Sequence, residues 1–171
     1  SPLRKPILTI QKAGERAAAI VQDLLTLARR GVVTTKVVNI NSIISDYLKS
    51  PEFENLKIYH PNVHVKTDFE TNLLNILGSP IHLTKTIMNL VTNAAEAISD
   101  FGEIILSTKN RYIDKSLSGY DKIKEGDYVT LSVRDTGVGI PSEDLERIFE
   151  PFYTKKVMGK SGTGLGMAVV W

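Results

Sequence analysis

The chain has 171 residues, 42% hydrophobic and 23% charged, which suits a single globular domain of ordinary size with a short appendage. Its net charge of +2 argues against a nucleic-acid partner, and the absence of cysteine excludes disulfides, thiolate metal sites and cysteine nucleophiles. No apolar run approaches the roughly 20 residues that span a bilayer, so we expect a cytoplasmic chain without membrane contact, any membrane anchor of the full protein lying upstream.

An N-terminal helix is predicted over residues 7–30, because apolar residues recur there at heptad-like spacing. Pro6 suits the first turn of such a helix, and Gly31 suits its end. An apolar face of this width must be buried against something. Either it packs on the domain of this chain, or it forms one half of a helical hairpin or dimer bundle whose partner lies elsewhere.

Short elements are expected to follow this helix. Residues 31–40 are rich in β-branched side chains and are predicted to be extended. Asn41 or Ser42 is predicted to cap a short helix that runs through Leu48. The tripeptide at 50–52 then starts another helical turn, with its serine as the cap and its proline at the first helical position.

The remaining elements are predicted from their hydrophobic period. Residues 63–67 alternate like a strand, and a long helix is expected over about 80–99. Two more strands are predicted at 104–107 and 128–135. The polar stretch at 108–127 between them is predicted to be an exposed loop or hairpin.

The helix predicted over 80–99 carries an apolar face and a separate polar stripe. The apolar positions are Leu83, Ile87, Leu90, Ala94 and Ala97, and the polar ones are His82, Thr86, Asn89, Asn93 and Glu96. Asn89 and Asn93 lie one helical turn apart on the same face. A carboxamide oxygen can ligate Mg²⁺, whose other ligands are then waters and substrate phosphates. The alternative is a solvated helix face that happens to carry two Asn residues.

Asp135 ends the strand predicted at 128–135, in the same register as Val133 and therefore on the apolar side. A carboxylate there is costly unless it is paired, and the exocyclic amine of adenine would pair with it. Gly137 and Gly139 follow at once and remove side-chain bulk where a base would enter. The alternative is an ordinary Asp-Thr-Gly turn, which explains neither the apolar register nor the second glycine.

Three glycines, Gly162, Gly164 and Gly166, surround the start of a predicted helix from Leu165 onward. Free amides at a helix N-terminus, reached by a chain without side chains, form an anion site. The pattern is neither a Walker loop nor a Rossmann fingerprint, because it lacks the Lys-Ser/Thr ending and follows no strand. The alternative is a flexible loop.

Residues 141–163 are predicted to form a lid over a nucleotide. Phe149 and Phe152 can anchor such a segment onto a core. Positive charge for a polyphosphate can come from Lys155, Lys156 and Lys160. The alternative is an amphipathic surface segment with solvated lysines.

Four of these segments, in this order, resemble the nucleotide-binding motifs of sensor histidine kinases. The segment HLTKTIMNLVTNAAEAI (82–98) resembles the N box of that family, and VRDTGVGI (133–140) resembles its first glycine box. The segment IFEPFYTKK (148–156) resembles the F box, and GTGLGM (162–167) resembles the second glycine box. The second helix of the dimerisation and phosphotransfer hairpin in that family resembles IQKAGERAAAIVQDLLTLARR (10–30). The resemblance covers nearly the whole chain.

The resemblance implies an α+β fold, a two-layer α/β sandwich of the Bergerat type. Helices would cover one face of a mixed sheet, with ATP bound at the open side under the lid. Residues 1–31 would be part of the dimerisation hairpin. Residues 35–171 would be the ATP-binding catalytic domain, without its C-terminal hairpin.

Carried over by position, the resemblance also assigns roles to residues. Asp135 would bind the adenine amine, Asn93 would be the Mg²⁺ ligand, and Asn89 would lie beside it near the phosphates. The other nucleotide-binding residues would be Gly137, Gly139, Ile140, Phe149, Phe152, Lys155, Lys156, Gly162, Thr163, Gly164, Leu165 and Gly166.

By the same resemblance, the full protein would transfer the γ-phosphoryl of Mg-ATP to a His and then to an Asp of a response regulator. Its partners would be the phosphotransfer domain, a second copy of the kinase and a receiver domain. His60, His64 and His82 lie outside any phosphoacceptor motif, so we expect the acceptor upstream and no autophosphorylation by this chain alone. The alternative is a non-catalytic nucleotide-binding interaction module of the same fold, a pseudokinase or an anti-sigma-like regulator.

One position separates this chain from related gyrase, mismatch-repair and chaperone ATPases. Those enzymes carry a Glu one turn before the second Asn, to activate water, whereas this chain has Asn89 there. An amide cannot act as a general base. We therefore expect phosphotransfer with negligible intrinsic ATP hydrolysis.

Overall fold

A computed structural model describes residues 4–28, 34–114, 123–155 and 164–170. The chain divides into two compact units, one formed by residues 34–139 and the other by residues 1–33 together with 140–171. The domain boundaries predicted from the sequence, 1–31 and 35–171, stay a prediction.

The unit of residues 34–139 contains five strands and three helices among its described residues. The strands are β1 (Lys36–Val38), β2 (Val63–Phe69), β3 (Ile76–Gly78), β4 (Gly102–Ile113) and β5 (Gly126–Asp135). The helices are α2 (Ile40–Tyr47), α3 (Pro51–Tyr59) and α4 (Pro80–Ala97).

The strands form two sheets. Strands β1 and β3 pair antiparallel, while β2, β4 and β5 form a second sheet with β4 in the centre. Strand β2 runs parallel to β4, and β5 runs antiparallel to it. The parallel pair requires a crossover, which contains α4. The mixed sheet with helices confirms the predicted α+β fold.

The core lies between the central sheet and the helices. Buried and less buried residues alternate along the first half of β4, so one face of the sheet points into the core. The largest fully buried side chains of this unit are Ile44, Ile87, Val91, Ile104, Leu106 and Thr108. Each aliphatic side chain of this size stabilises the fold by about 1.5–3 kcal/mol when it is fully buried.

Helix α2 begins one residue after Asn39, whose Oδ1 accepts a hydrogen bond from the Asn41 amide at 3.0 Å. The prediction of Asn41 or Ser42 as the cap is therefore wrong. The Asn41 side chain serves elsewhere, because its Nδ2 donates to the carbonyl of Glu70 and its Oδ1 accepts from the hydroxyl of Thr108 at 2.7 Å.

The predicted serine cap of the next helix is confirmed, since Ser50 Oγ accepts from the Phe53 amide at 3.3 Å. The same Ser-Pro arrangement starts α4, where Ser79 Oγ accepts from the His82 amide at 3.5 Å. Such caps satisfy one of the free amides of the first turn.

The predicted strands are confirmed, but β4 and β5 extend further than the sequence indicated. The stretch at 108–127 is a hairpin in its described part, and residues 115–122 lie outside the described residues. Strand β3 was not predicted, because three residues are too few to show an alternating pattern.

The other unit contains α1 (Arg4–Ala28), a short 3₁₀ turn (Ser142–Asp144) and α5 (Gly166–Val170). The predicted N-terminal helix is confirmed up to Ala28, and its predicted end at residues 29–31 lies outside the described residues. On its apolar face Ile10 is 72% exposed and Val21 is 55% exposed, so the described part of the chain leaves these two side chains largely uncovered. No helix among the described residues is both long enough and apolar enough to cross a membrane.

Candidate functional site

The two asparagines of the polar stripe lie on α4 as predicted. Asn89 and Asn93 are both half-buried and one turn apart. At 100° per residue, Ile87 and Val91 lie on the opposite side of the helix, and both are fully buried. Burial of these two side chains therefore fixes the rotation of α4, and with it the direction of the two amides.

Asp135 is the last residue of β5, and the predicted register is confirmed because Asp135 is half-buried while Arg134 is exposed. It pairs with Ile104 of the central strand. Its Oδ1 accepts a hydrogen bond from the Gly137 amide at 2.8 Å. Within the described part of the chain no cation pairs with this carboxylate, so its second oxygen can accept a further donor.

Thr136 fastens this turn to the start of β4, a contact that the sequence analysis missed. Its amide donates to the Glu103 carbonyl at 3.2 Å, and its hydroxyl accepts from the Glu103 amide at 3.0 Å. Gly102 makes room for it, because a Cβ at Gly102 would lie 2.5 Å from the Thr136 hydroxyl. The nearest signal in the sequence is the Asp-Thr-Gly turn itself.

The turn that contains Gly137 and Gly139 packs against the C-terminal end of α4. A Cβ at Gly137 would lie 2.6 Å from the Ala97 carbonyl oxygen, and the Val138 amide donates to that oxygen at 3.0 Å. Ala97 lies one turn beyond Asn93 on the same helix face. Asp135 is therefore held near the C-terminal end of α4, about one helical turn beyond Asn93.

The two glycines of the turn have different surroundings. A Cβ at Gly137 would meet Ala97, so Gly137 lets the turn pack closely on the end of α4. Gly139 has a φ of +73°, and among the described residues no atom beyond its chain neighbours lies within 4 Å of the position where its Cβ would be. The role predicted for both glycines in shaping a base pocket stays a prediction.

In the other unit, Asp144 organises the segment that was predicted as a lid. Its side chain is 8% exposed and accepts from the Tyr153 hydroxyl and the Lys155 ammonium, both at 2.6 Å. Lys155, followed by Tyr153, holds the pKa of the Asp144 carboxyl below its ordinary value. Lys155, predicted for a polyphosphate, is therefore paired with a carboxylate that the sequence analysis did not single out.

Phe152 and Gly164 close the base of the loop between them. The Phe152 amide donates to the Gly164 carbonyl at 2.9 Å, and both residues have positive φ, 67° and 68°. A Cβ at Gly164 would lie 2.5 Å from the Phe152 carbonyl carbon, so only glycine fits there. The Phe152 ring is 61% exposed, which corrects the expectation that this ring anchors the segment; the backbone holds it instead.

The remaining predicted residues are placed only in part. Phe149 is half-buried and Ile140 is exposed. Leu165 is fully buried, so only its backbone could face a ligand, and α5 starts one residue later at Gly166. Four predicted residues lie outside the described part of the chain: Lys156, Lys160, Gly162 and Thr163.

The donor set can be tested for a metal ion. The described residues hold no group of three or more His, Asp or Glu side chains that could bind a metal by themselves. Asn93 offers a neutral amide oxygen, which is a weak ligand alone. A divalent cation here would need most of its ligands from waters and from a bound anion.

Residues 78–170 match the family described as histidine kinase-, DNA gyrase B-, and HSP90-like ATPase. The chain is 33% identical over 166 residues to the sensor kinase CckA of Brucella abortus (strain 2308), covering 96% of this chain and 17% of that protein. It therefore spans about a sixth of the length of that relative.

Solved structures of histidine kinases are among those similar to this chain. Full-length ShkA in complex with AMPPNP matches with a TM-score of 0.70 and 24% identity over 99% of this chain and 33% of that one, a likeness of fold alone. Histidine kinase ThkA in complex with the response regulator protein TrrA matches with a TM-score of 0.64 and 28% identity, over 89% of this chain and 40% of that one.

Proposed function

This chain belongs to the family of histidine kinase-, DNA gyrase B- and HSP90-like ATPases, and it is an ATP-binding catalytic domain of the histidine kinase type. We propose the following reaction for it. The chain binds Mg-ATP and presents the γ-phosphoryl group to a His that lies outside residues 1–171. The full protein passes the phosphoryl group on to an Asp of a response regulator. Positioning and charge stabilisation are the protein's main contributions to such a transfer.

The observation that carries this proposal is the hydrogen bond between Asp135 Oδ1 and the Gly137 amide. It fixes the carboxylate plane and leaves the second oxygen for the exocyclic amine of adenine. The packing of Gly137 on Ala97 keeps the turn in place before any ligand binds. A preorganised acceptor of this kind loses little conformational freedom on binding.

We assign Mg²⁺ to the Asn93 amide oxygen, with Asn89 beside it on the same face of α4. The ion would neutralise part of the negative charge of the phosphates. The lack of a carboxylate cluster among the described residues fits an ion that takes its other ligands from ATP and water. Asn89 orients polar groups but cannot take a proton from water, which favours transfer over hydrolysis.

The assignment of the phosphate side comes from the motifs alone. Gly139 and Ile140 follow Asp135, the carboxylate that we assign to the adenine amine. The residues assigned to the lid come before the second glycine run: Phe149, Phe152, Lys155 and Lys156. We assign phosphate contact to backbone amides in that run, at Gly162, Thr163, Gly164, Leu165 and Gly166.

Proposed partners follow from α1 and from the relatives. The exposed apolar side chains of α1 suit the second helix of a dimerisation hairpin, completed by the phosphotransfer helix and a second copy of the kinase. A response regulator is the proposed acceptor of the phosphoryl group, since the similar ThkA was solved with one.

The test is calorimetric titration of the chain with ADP and Mg²⁺, compared with Asp135→Asn. Replacing one carboxylate oxygen by an NH₂ group loses a hydrogen bond to a charged acceptor, which corresponds to a roughly 10- to 100-fold weaker affinity. Asp127→Asn is the matched control, because Asp127 lies at the exposed start of the same strand. Equal affinity of Asp135→Asn and the unchanged chain would contradict the assignment.

A further inference from the structure

The ladder between β4 and β5 ends, one residue after Asp135, in a mixed pair. Asp135 is the partner of Ile104, so a further pair would join Thr136 to Glu103. In an antiparallel hydrogen-bonded pair the two residues exchange two backbone hydrogen bonds. The first is present, from the Thr136 amide to the Glu103 carbonyl at 3.2 Å. The Glu103 amide, however, donates to the Thr136 hydroxyl at 3.0 Å, so a side-chain oxygen takes the place of a backbone carbonyl.

This replacement lets the chain leave the sheet directly after Asp135. A threonine hydroxyl that satisfies a backbone amide competes with regular secondary structure and favours a turn. The Gly137 amide then donates to Asp135 Oδ1 at 2.8 Å. The Val138 amide donates to the Ala97 carbonyl at 3.0 Å. Asp135 is therefore both the last residue of the ladder and the first residue of the turn.

The surroundings of Thr136 fit its hydroxyl to this contact. A Cβ at Gly102 would lie 2.5 Å from the Thr136 hydroxyl and 2.8 Å from Ile98 Cγ2, so a larger residue there would displace the hydroxyl. Glu103 lies in the central strand of the sheet, which is paired on both sides. A β-branched side chain has few χ1 rotamers, so the hydroxyl loses little freedom when it accepts from the Glu103 amide.

We propose that Thr136 is a positioning residue for adenine recognition, whose hydroxyl fixes the direction of the Asp135 carboxylate. The proposal rests on the assignment of Asp135 to the adenine amine made under the proposed function. The ladder holds the backbone of Asp135 on its N-terminal side, and the contacts of Thr136 hold it on its C-terminal side. A hydrogen bond weakens steeply as its angle departs from linear, so the carboxylate needs both supports to meet the amine well.

The role of Thr136 should therefore appear in the choice of base. The exocyclic amine is the part of the ligand that we assign to Asp135, and a purine without this amine makes no use of the direction of the carboxylate. A general loss of stability, in contrast, weakens the binding of both purines alike. The ratio of the two affinities thus separates positioning of Asp135 from a merely structural effect.

The test compares ADP with purine riboside 5′-diphosphate, which is ADP without the exocyclic amine, in calorimetric titrations with Mg²⁺. Thr136→Val keeps the shape of the side chain and removes the hydroxyl, whereas Thr136→Ser keeps the hydroxyl. We expect the preference for ADP to fall roughly 3- to 10-fold in Thr136→Val, the range expected for one hydrogen bond between uncharged groups. Thr136→Ser should largely retain the preference.

Thr130→Val is the matched control. Thr130 lies on the same strand, and its hydroxyl donates to the Lys109 carbonyl at 3.1 Å, away from the turn. This variant also loses one bond between a side chain and the backbone, but it should leave the preference for ADP unchanged. An unchanged preference in Thr136→Val would overturn the proposal, as would an equal loss in Thr136→Ser or in Thr130→Val.

A measurement on the unchanged chain decides the matter if Thr136→Val does not fold. Because coupling between two contacts is reciprocal, a ligand bound through Asp135 should stabilise the contact between Thr136 and Glu103. Hydrogen exchange of the Glu103 amide, followed by NMR, should therefore slow more with bound ADP than with bound purine riboside 5′-diphosphate. Equal slowing by both ligands overturns the role of Thr136.

Failure of this role can be told apart from failure of the proposed function. If the folded, unchanged chain binds neither ligand, or binds both equally well, the assignment of Asp135 to the adenine amine is wrong, and the role of Thr136 with it. If the unchanged chain prefers ADP and Thr136→Val keeps that preference, the role of Thr136 alone is wrong.

Discussion

Asp135 and Asp144 are both shielded carboxylates, but the chain holds them in different ways. Asp135 accepts from a backbone amide two residues away, in a turn packed against the backbone of α4. Among the described residues, the donors to the Asp144 carboxylate are the side chains of Tyr153 and Lys155, and the second of these is largely exposed. A carboxylate held by backbone keeps one geometry and suits recognition of a rigid group, whereas one held by a lysine can change partners.

The largest loss of stability is expected from Gly137→Ala, which disrupts the packing of the turn after Asp135 against α4. The new Cβ would lie 2.6 Å from the Ala97 carbonyl oxygen, and backbone cannot move aside as a flexible side chain can. We expect the free energy of unfolding to fall by about 1–3 kcal/mol, as in other overpacked sites. Urea titration followed by circular dichroism measures this change.

Gly14→Ala is the control for that variant. Gly14 lies inside α1, and apart from the neighbouring backbone of the helix no atom of the described residues lies within 4 Å of the position that a Cβ would take. In a helix interior alanine is favoured over glycine by about 1 kcal/mol, so this change should be neutral or stabilising. An unchanged urea midpoint for Gly137→Ala would show that the turn is not packed as described.

An intermediate loss of folding stability is expected at alkaline pH from Tyr47, which lies in the same unit as Asp135. Burial of Tyr47, and next the charge of Glu52, raise the pKa of its hydroxyl from 10.0 to about 12. Because the folded-state pKa is the higher one, the stabilisation is complete below pH 10 and is lost as the pH rises from 10 to 12. After allowing for solvent screening we expect a loss of about 1–2 kcal/mol.

Stability measured by urea titration between these pH values tests this expectation. Tyr47→Phe has no proton to lose and should show a correspondingly smaller decline. Tyr59→Phe, at a position 78% exposed, should behave like the unchanged chain. If Tyr47→Phe and the unchanged chain declined alike, the ring of Tyr47 would not be buried as described, against Phe53 at 5.5 Å between centroids.

The smallest effect is expected at acid pH, where protonation of Asp144 weakens its contacts with Tyr153 and Lys155. The hydrogen bond from Lys155, and next that from Tyr153, lower the pKa of Asp144 from 3.8. Since the folded-state pKa is the lower one, the contact is intact above pH 3.8 and is lost as the pH falls through the lowered value. The NMR signals of the Tyr153 ring should therefore titrate only below pH 3.8.

Asp144→Asn should remove this titration, and Glu143→Gln should retain it. A titration of Tyr153 centred above pH 3.8 would mean that Asp144 is not stabilised by its two donors. Together the three experiments separate packing from charge as the means by which this chain holds its carboxylates.

Features that depend on local period could be predicted from the sequence. The register of Asp135 followed from strand alternation, and the shared face of Asn89 and Asn93 followed from helical spacing. The serine cap at Ser50 followed from its proline neighbour. These signals lie within a few residues of the feature that they predict.

Features that depend on distant partners could not be predicted. Asn41 looks like a cap, but its side chain bonds to Thr108, which lies 67 residues away in the chain. Thr136 and Asp144 look like ordinary turn residues until Glu103 and Lys155 are placed beside them. A side chain that can satisfy itself locally gives no sign in the sequence of the tertiary bond that it makes instead.

The parallel pairing of β2 with β4 has a consequence for the order of folding. Residues 63–69 pair with residues 102–108, so this contact closes only after the whole crossover, including α4, has been brought together. The antiparallel β4–β5 pair is more local and can form earlier. Asp135 is part of that early hairpin, but the packing of the following turn against Ala97 is not yet formed. When the complete chain refolds, the turn after Asp135 therefore reaches its final geometry only once α4 has packed against the sheet.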